Sequence, residues 1–305
     1  MSEPSTPPQL DGVWVPIITP FADNPGREVD HAALGRLAKH LQRQGVSGLV
    51  VGGTTGEAAA LTPQERLNCW QTVAQHAPAL PLMLGTGGAS LADALEDMHL
   101  MRQYQLTQRL RLDALLLAAP SYVRPSQQGL RDWFLVLADA APAPVVIYDI
   151  PYRTGSTLAR ETLLSLADHP NIIGIKDCGG DLAKTLALLH DGRLQVLAGE
   201  DLQVLAHLAH GGKACISASA HLHPQRWVRM VQCMRSNHLD EAQALWRELV
   251  PLIETAFSEP NPGPLKAALA IQGFGSSCVR APMMDASPAV FSRWRSMEWM
   301  GSIID

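Results

Sequence analysis

The chain has few cysteines, and those it has are not patterned as ligands or bridges. Cys69, Cys178, Cys215, Cys233 and Cys278 are odd in number and contain no C-x-x-C or C-x-C spacing, so neither a disulfide framework nor a zinc ribbon is encoded. Aromatic residues make up only 5%, and the net charge of −5 gives no basic footprint, which excludes nucleic acid as an expected partner. Long hydrophobic runs are missing too: the longest uninterrupted apolar stretch, Ala114 to Pro120, falls far short of the ~18 residues of a membrane span. The opening MSEPSTPPQLDG has neither a basic start nor an apolar core, so no export signal is read and a soluble, cytoplasmic chain is expected. Lysine is scarce as well. Of 24 basic residues only five are lysines, Lys39, Lys176, Lys184, Lys213 and Lys266.

What is present is ordinary globular material, 305 residues with 47% hydrophobic content, enough to bury a sizeable core and to exclude disorder, collagen and coiled coil. Short β-rich apolar runs recur: VWVPIIT from Val13, GLVVGG from Gly48, LPLMLGT from Leu80, DALLLAAP from Asp113, PVVIYDIP from Pro144, NIIGIKD from Asn171, LQVLAGE from Leu194 and KACISAS from Lys213. Helical spacing fills the gaps. Asp30 reads as an N-cap, Leu34, Leu37, Ala38 and Leu41 form one stripe, and Gly45 is the stop. Strands that are apolar throughout are covered on both faces, and strict alternation with helices implies parallel pairing through crossovers. Eight units predict a closed (β/α)8 barrel, a TIM barrel of class α/β, in preference to an open doubly wound sheet. The units finish near Ser236, giving a barrel over residues 1–236 and a C-terminal helical domain over 237–305, with Pro260, Pro262 and Pro264 as an elbow.

In such barrels the working residues stand at the C-terminal ends of strands. NIIGIK ends in Lys176, and desolvation there is expected to lower its pKa and free the amine to attack a ketone as a Schiff-base nucleophile. The plain alternative is a structural ion pair. GGTTGE, Gly52 to Glu57, offers backbone amides and the hydroxyls of Thr54 and Thr55 where a helix is expected to begin, a setting for a small carboxylate; it lacks the G-K-[ST] ending of a nucleotide loop. YDIPYRTG sets Tyr148 at the rim and Arg153 five residues on, a phenol for proton relay and a guanidinium for a second carboxylate. APSYVRPSQQGL brings Tyr122 to the same mouth.

Taken in order, GTTGE, SYVRPSQQGL, YDIPYRTG, IIGIKD and SEPNPGPLK resemble the dihydrodipicolinate synthase and N-acetylneuraminate lyase family of class I, lysine-dependent aldolases, over nearly the whole chain. The resemblance implies a (β/α)8 barrel with a helical tail, a homotetramer built as a dimer of dimers, small-molecule substrates, and no metal or dissociable cofactor. It makes Lys176 the residue that forms an imine with pyruvate and Thr54 and Thr55 the cradle of its carboxylate. Tyr148 moves protons, with Thr55 linking it to Tyr122, which the neighbouring subunit lends. Arg153 holds the carboxylate of the second substrate, and Gly199 and Ile216 line the pyruvate pocket. The arginine after Y-x-x-P-x resembles the synthase branch, which condenses pyruvate with aspartate 4-semialdehyde. Two other readings stay open, an aldolase or dehydratase acting on another 2-keto acid and a non-catalytic keto-acid-binding barrel.

The chain departs from the family pattern in places. Asp149 stands where Asn is usual, Ala119-Pro120-Ser121 replaces Thr-Pro-Tyr, and both changes are expected to bear on the second substrate. The positions matching the lysine-feedback site read Pro63, Arg66, Ala89 and Ser121, so lysine is not expected to inhibit. Asp201, Glu57 and Asp177 are candidate supporting charges. His207 with His210, and His221 with His223, suggest a metal by spacing, but no Asp or Glu converges with them at strand ends; structural histidines are expected, as is a packing role for Cys178.

Overall fold

The computed structural model describes residues 8–297, so most of the opening stretch read for an export signal, and the end of the tail, lie outside the described residues. The first half of the chain runs β1 (Gly12–Pro16), α1 (His31–Arg43), β2 (Gly48–Val51), α2 (Pro63–His76), β3 (Leu82–Thr86), α3 (Leu91–Gln108), β4 (Ala114–Ala118) and α4 (Gln127–Ala140). It continues with β5 (Val145–Asp149), α5 (Pro151–Thr154), α6 (Arg160–Leu166), β6 (Ile172–Asp177), α7 (Leu182–Asp191), β7 (Gln195–Ala198), α8 (Val204–Ala209) and β8 (Ala214–Ile216). Among the described residues four helices follow: α9 (Pro224–Arg235), α10 (Leu239–Ala256), α11 (Gly263–Ile271) and α12 (Pro288–Arg295). The strands take the order β1 to β8 as a closed barrel, the (β/α)8 fold that the eight apolar runs predict.

Contacts divide the chain into two compact units, residues up to Asp11 with Leu82–Cys215, and Gly12–Pro81 with the chain from Ile216 onward. In the first, β3 to β7 form a continuous parallel ladder whose register sets Tyr148 beside Lys176 and Asp149 beside Asp177. Leu115, Leu117, Val145, Ile147, Ile175 and Leu197 are all fully buried, as strands enclosed on both faces require. Its helices α3, α4 and α7 start on side-chain caps: Ser90 accepts from the Asp93 amide, Ser126 from Gly129 and Asp181 from Lys184.

In the second unit β1 pairs with β2, and Gly48 is needed because a Cβ there would run into the Trp14 indole. Helix α1 starts and stops as the sequence predicts, with the Asp30 carboxylate accepting from the Ala33 amide and Gly45 turning at φ +82°. The proline elbow is shorter than expected: Pro260 and Pro262 lie between α10 and α11, whereas Pro264 sits in the first turn of α11, where a missing N–H costs no hydrogen bond. The Trp294 indole of α12 donates to the Pro264 carbonyl at 2.8 Å and ties the last two helices together.

Candidate active site

Lys176 and Tyr148 face each other on one rung of the β5–β6 ladder, both buried, with the ammonium 4.2 Å from the centre of the Tyr148 ring. Burial disfavours the charged lysine, but the hydrogen-bonding Tyr148 phenol, the adjacent Cys178 and Asp201 together outweigh it, and the pKa moves up. The expectation of a lowered lysine pKa is therefore corrected, because desolvation is met by polar neighbours that favour the ammonium. The surroundings thus favour the ammonium, and attack by the amine calls for a base beside it, a place the Tyr148 phenol occupies.

Gly199, after β7, packs against this lysine. A Cβ at Gly199 would overlap the Cys178 sulfur and come within 2.9 Å of Lys176 Cγ, so glycine alone lets the two strand ends close on the lysine stem. Burial pushes the Cys178 thiol up and out of the nucleophile range, which agrees with a packing role. Arg153 lies on α5, exposed, with its guanidinium 5.6 Å from the centre of the Tyr152 ring. Tyr122 is 92% exposed and holds φ at +73°, a strained setting for a bulky side chain.

Sequence reasoning missed two residues in this unit. Tyr152, 65% exposed, donates from its hydroxyl to Glu200 Oε1 at 2.9 Å, joining the segment after β5 to the segment after β7. Both follow strand ends directly, and that position was the available signal.

In the second unit Thr54 and Thr55 stand in the loop after β2, and the Asn261 amide donates to Thr55 Oγ1 at 3.0 Å. Asn261 belongs to SEPNPGPLK, but nothing in the sequence indicates its contact with a threonine so far up the chain. The loop does not open onto an α-helix as expected. It tightens into a 3-10 turn over Ala58–Ala60, with the Glu57 amide already donating to the Thr54 carbonyl at 3.0 Å. Helix α2 begins only at Pro63, capped by a Thr62 and Glu65 box that uses its first amides. Any anion here therefore relies on the threonine hydroxyls and the turn, without a helix end.

Glu57 holds this loop. It sits at φ +56° with Oε1 2.5 Å from the fully buried Lys266 ammonium, while Oε2 accepts from the Arg280 amide at 2.9 Å. Lys266 also donates to the Cys278 carbonyl at 2.7 Å and lies 4.0 Å from the centre of the Phe21 ring. Ile216 ends β8, also buried.

Asp149, expected to bear on the second substrate, does not face that way. Its side chain leaves the strand on the opposite side from Tyr148, as the period of two demands, and meets Lys184 of α7. Two of the histidines are engaged by the backbone of their own unit. His207 bonds the Val196 carbonyl, and His221 gives Nδ1 to the Ala218 carbonyl and takes the Ile18 amide on Nε2. Among the described residues Cys233, His238 and Glu241 do come together, but Arg229 donates to both oxygens of that glutamate.

Comparison with known proteins settles the family. The dihydrodipicolinate synthetase family model matches residues 9–291. The chain belongs to this family. The 4-hydroxy-tetrahydrodipicolinate synthase of Thermosynechococcus vestitus is 37% identical over 285 residues, 92% of this chain and 94% of the relative. A solved structure, the chloride-inhibited dihydrodipicolinate synthase of Acinetobacter baumannii complexed with pyruvate, matches with a TM-score of 0.87 at 30% identity, over 94% of this chain and 97% of that one. A monomeric dihydrodipicolinate synthase variant matches with the same TM-score of 0.87 at 27% identity, over 94% of this chain and 95% of that one. Like these synthases, the chain is an enzyme of the lyase class that works on small molecules. No helix among the described residues is long and apolar enough to cross a membrane.

Proposed function

We propose that this synthase-family chain condenses pyruvate with L-aspartate 4-semialdehyde to 4-hydroxy-tetrahydrodipicolinate through a Schiff base on Lys176, as a step of lysine biosynthesis in the cytoplasm. The observation that carries the reading is the Tyr148–Lys176 rung, a phenol against a buried amine at the C-terminal end of adjacent strands.

The chemistry follows from that rung. Tyr148 takes the proton from Lys176 as it passes its own toward Thr55 and on to Tyr122, and the neutral amine adds to the pyruvate carbonyl carbon. Water leaves with a proton returned through the same phenol, which gives the imine. Loss of a methyl proton makes the enamine, whose carbon attacks the aldehyde. The amine of the second substrate then displaces Lys176 by transimination, closes the ring and frees the lysine. Thr54 and Thr55 would hold the pyruvate carboxylate, Arg153 that of the semialdehyde, and Gly199 and Ile216 would shape the pocket. On this reading residues 1–236 are the catalytic barrel and 237–305 its extension. The exposed, strained Tyr122 supports an assembly in which a neighbouring subunit receives it, a homotetramer made of two such pairs.

Borohydride reduction in the presence of pyruvate tests the proposal, with mass spectrometry locating the adduct on Lys176 and a coupled assay measuring turnover with aspartate semialdehyde. A keto-acid sensor would give no adduct. An enzyme for a different second substrate would give the adduct and respond to another aldehyde in a panel. Unchanged turnover in Lys176→Arg would end the Schiff-base reading.

A further inference from the structure

Behind the Tyr148–Lys176 rung lies a second one. Asp149 and Asp177 are register partners immediately beyond it, so two buried carboxylates stand side by side on the outer face of the strand ends. Lys184 of α7 pairs with the first of them. Its ammonium is 2.5 Å from Asp149 Oδ2 and 3.3 Å from the Leu158 carbonyl, with both side chains of the ion pair almost wholly buried. Asp177 is held separately, by the Gly179 amide on Oδ1 at 2.9 Å and the Thr185 hydroxyl on Oδ2 at 2.5 Å. The three charged groups converge at one point. A Cβ built on Gly179 would lie 2.7 Å from Lys184 Nζ, 3.0 Å from Asp149 Oδ2 and 3.2 Å from Asp177 Oδ1. Backbone bonds tie the same segment to the site, since the Cys178 amide donates to the Asp149 carbonyl and the Gly199 amide to that of Asp177, each at 2.9 Å.

We propose that Lys184 is a positioning residue for the reaction. Its ammonium balances the Asp149 and Asp177 carboxylates and so holds the ends of β5 and β6 in the register that keeps the Tyr148 phenol on the Lys176 amine. This rests on the Schiff-base reading above. Two adjacent buried carboxylates cannot both stay ionised without a counter-charge. Removal of the ammonium leaves them to repel or to take up a proton, and either change acts on the strand ends one residue from Tyr148 and Lys176. Burial already holds the Asp149 carboxyl above its usual range with Lys184 in place, so the layer has little tolerance for losing it. An uncharged pair of similar shape would need no such balance.

The test compares the wild-type chain, Lys184→Met and the double variant Asp149→Asn with Lys184→Met. It reads kcat, KM for pyruvate, the rate of borohydride-trappable adduct formation at saturating pyruvate, and near-ultraviolet circular dichroism. Lys184→Met is expected to slow adduct formation and kcat by about tenfold, with KM for pyruvate little changed, as for an interaction that matters in the chemical steps. The double variant is expected to return to within about fivefold of wild type, because the layer is again balanced without the lysine. A smaller loss than about fivefold in a folded Lys184→Met, or a double variant with native dichroism that stays slower than that bound, overturns the assignment. If Lys184→Met does not fold, the double variant alone decides by the same bound. Absence of any adduct in the wild-type chain would remove the Schiff-base reading and this assignment with it, whereas an adduct in the wild type and an unaffected Lys184→Met would remove only the assignment.

Discussion

Two of the five lysines are buried in ion pairs, and the pairs are built differently. Lys266 meets Glu57 in a cage that satisfies every partner: a backbone carbonyl and an aromatic face on the lysine, and a backbone amide on the second carboxylate oxygen. Lys184 meets Asp149 beside a second carboxylate, Asp177, which takes its own hydrogen bonds from the Gly179 amide and the Thr185 hydroxyl. The first arrangement fastens a left-handed turn to helix α11 and is a matter of folding. The second stands one residue behind the Tyr148–Lys176 rung, and its proposed part is to hold that register. A buried charge pair is thus weak evidence of function until its neighbours are counted.

The sharpest way to separate them is to remove each lysine. Lys266→Met leaves the buried Glu57 carboxylate without its ammonium and is expected to cost about 3–5 kcal/mol in a denaturant titration, far more than its effect on kcat in whatever fraction stays folded. If Lys266→Met were as stable as wild type but slow, the contrast with Lys184 would vanish.

Acid is expected to strain the second unit next. Burial pushes the His221 imidazole down to about 4, and its neutral form accepts the Ile18 amide on Nε2. A folded pKa below the unfolded value of about 6.5 means that the unfolded chain binds the proton first, so stability is present above that value and is lost as pH falls toward 4. The loss should approach about 3 kcal/mol by pH 4 and be smaller in His221→Gln, measured by unfolding at stepped pH.

A lesser effect should come from Asn261, whose amide reaches Thr55. Asn261→Ala is expected to cost about 1 kcal/mol and to raise KM for pyruvate severalfold, read from initial rates. A kcat loss with unchanged KM would place Thr55 in the proton relay more than in the carboxylate cradle. The smallest expected effect is none: millimolar lysine should leave the rate unchanged, because Pro63, Arg66, Ala89 and Ser121 offer little to bind it. A falling rate in the coupled assay would refute this.

The eight strands could be read from the sequence because each carries a short run of apolar residues, and enclosure on both faces leaves such runs no other use. Lys176 and Tyr148 could be singled out as candidates because they fall at strand ends, and the structure sets them on one rung. What could not be read depended on contacts across the chain. The upward shift of the Lys176 pKa comes from side chains on three strand ends, and burial alone pointed the other way. The 3-10 turn after Thr55 was hidden because glycine-rich loops announce flexibility without saying which turn they adopt. The direction of Asp149 was within reach, since alternation along a strand already turns it away from Tyr148, but its partner on α7 was not.

The distribution of lysine also affects how the protein can be handled. Lys176, Lys184 and Lys266 are enclosed, while Lys39 and Lys213 stand in solvent. Amine-reactive dyes, cross-linkers or resins applied to the native fold would therefore find just two side-chain handles, one on α1 and one just before β8. Labelling at those points leaves the interior amines untouched, so a reductive tag carried by Lys176 would be seen against an almost silent background.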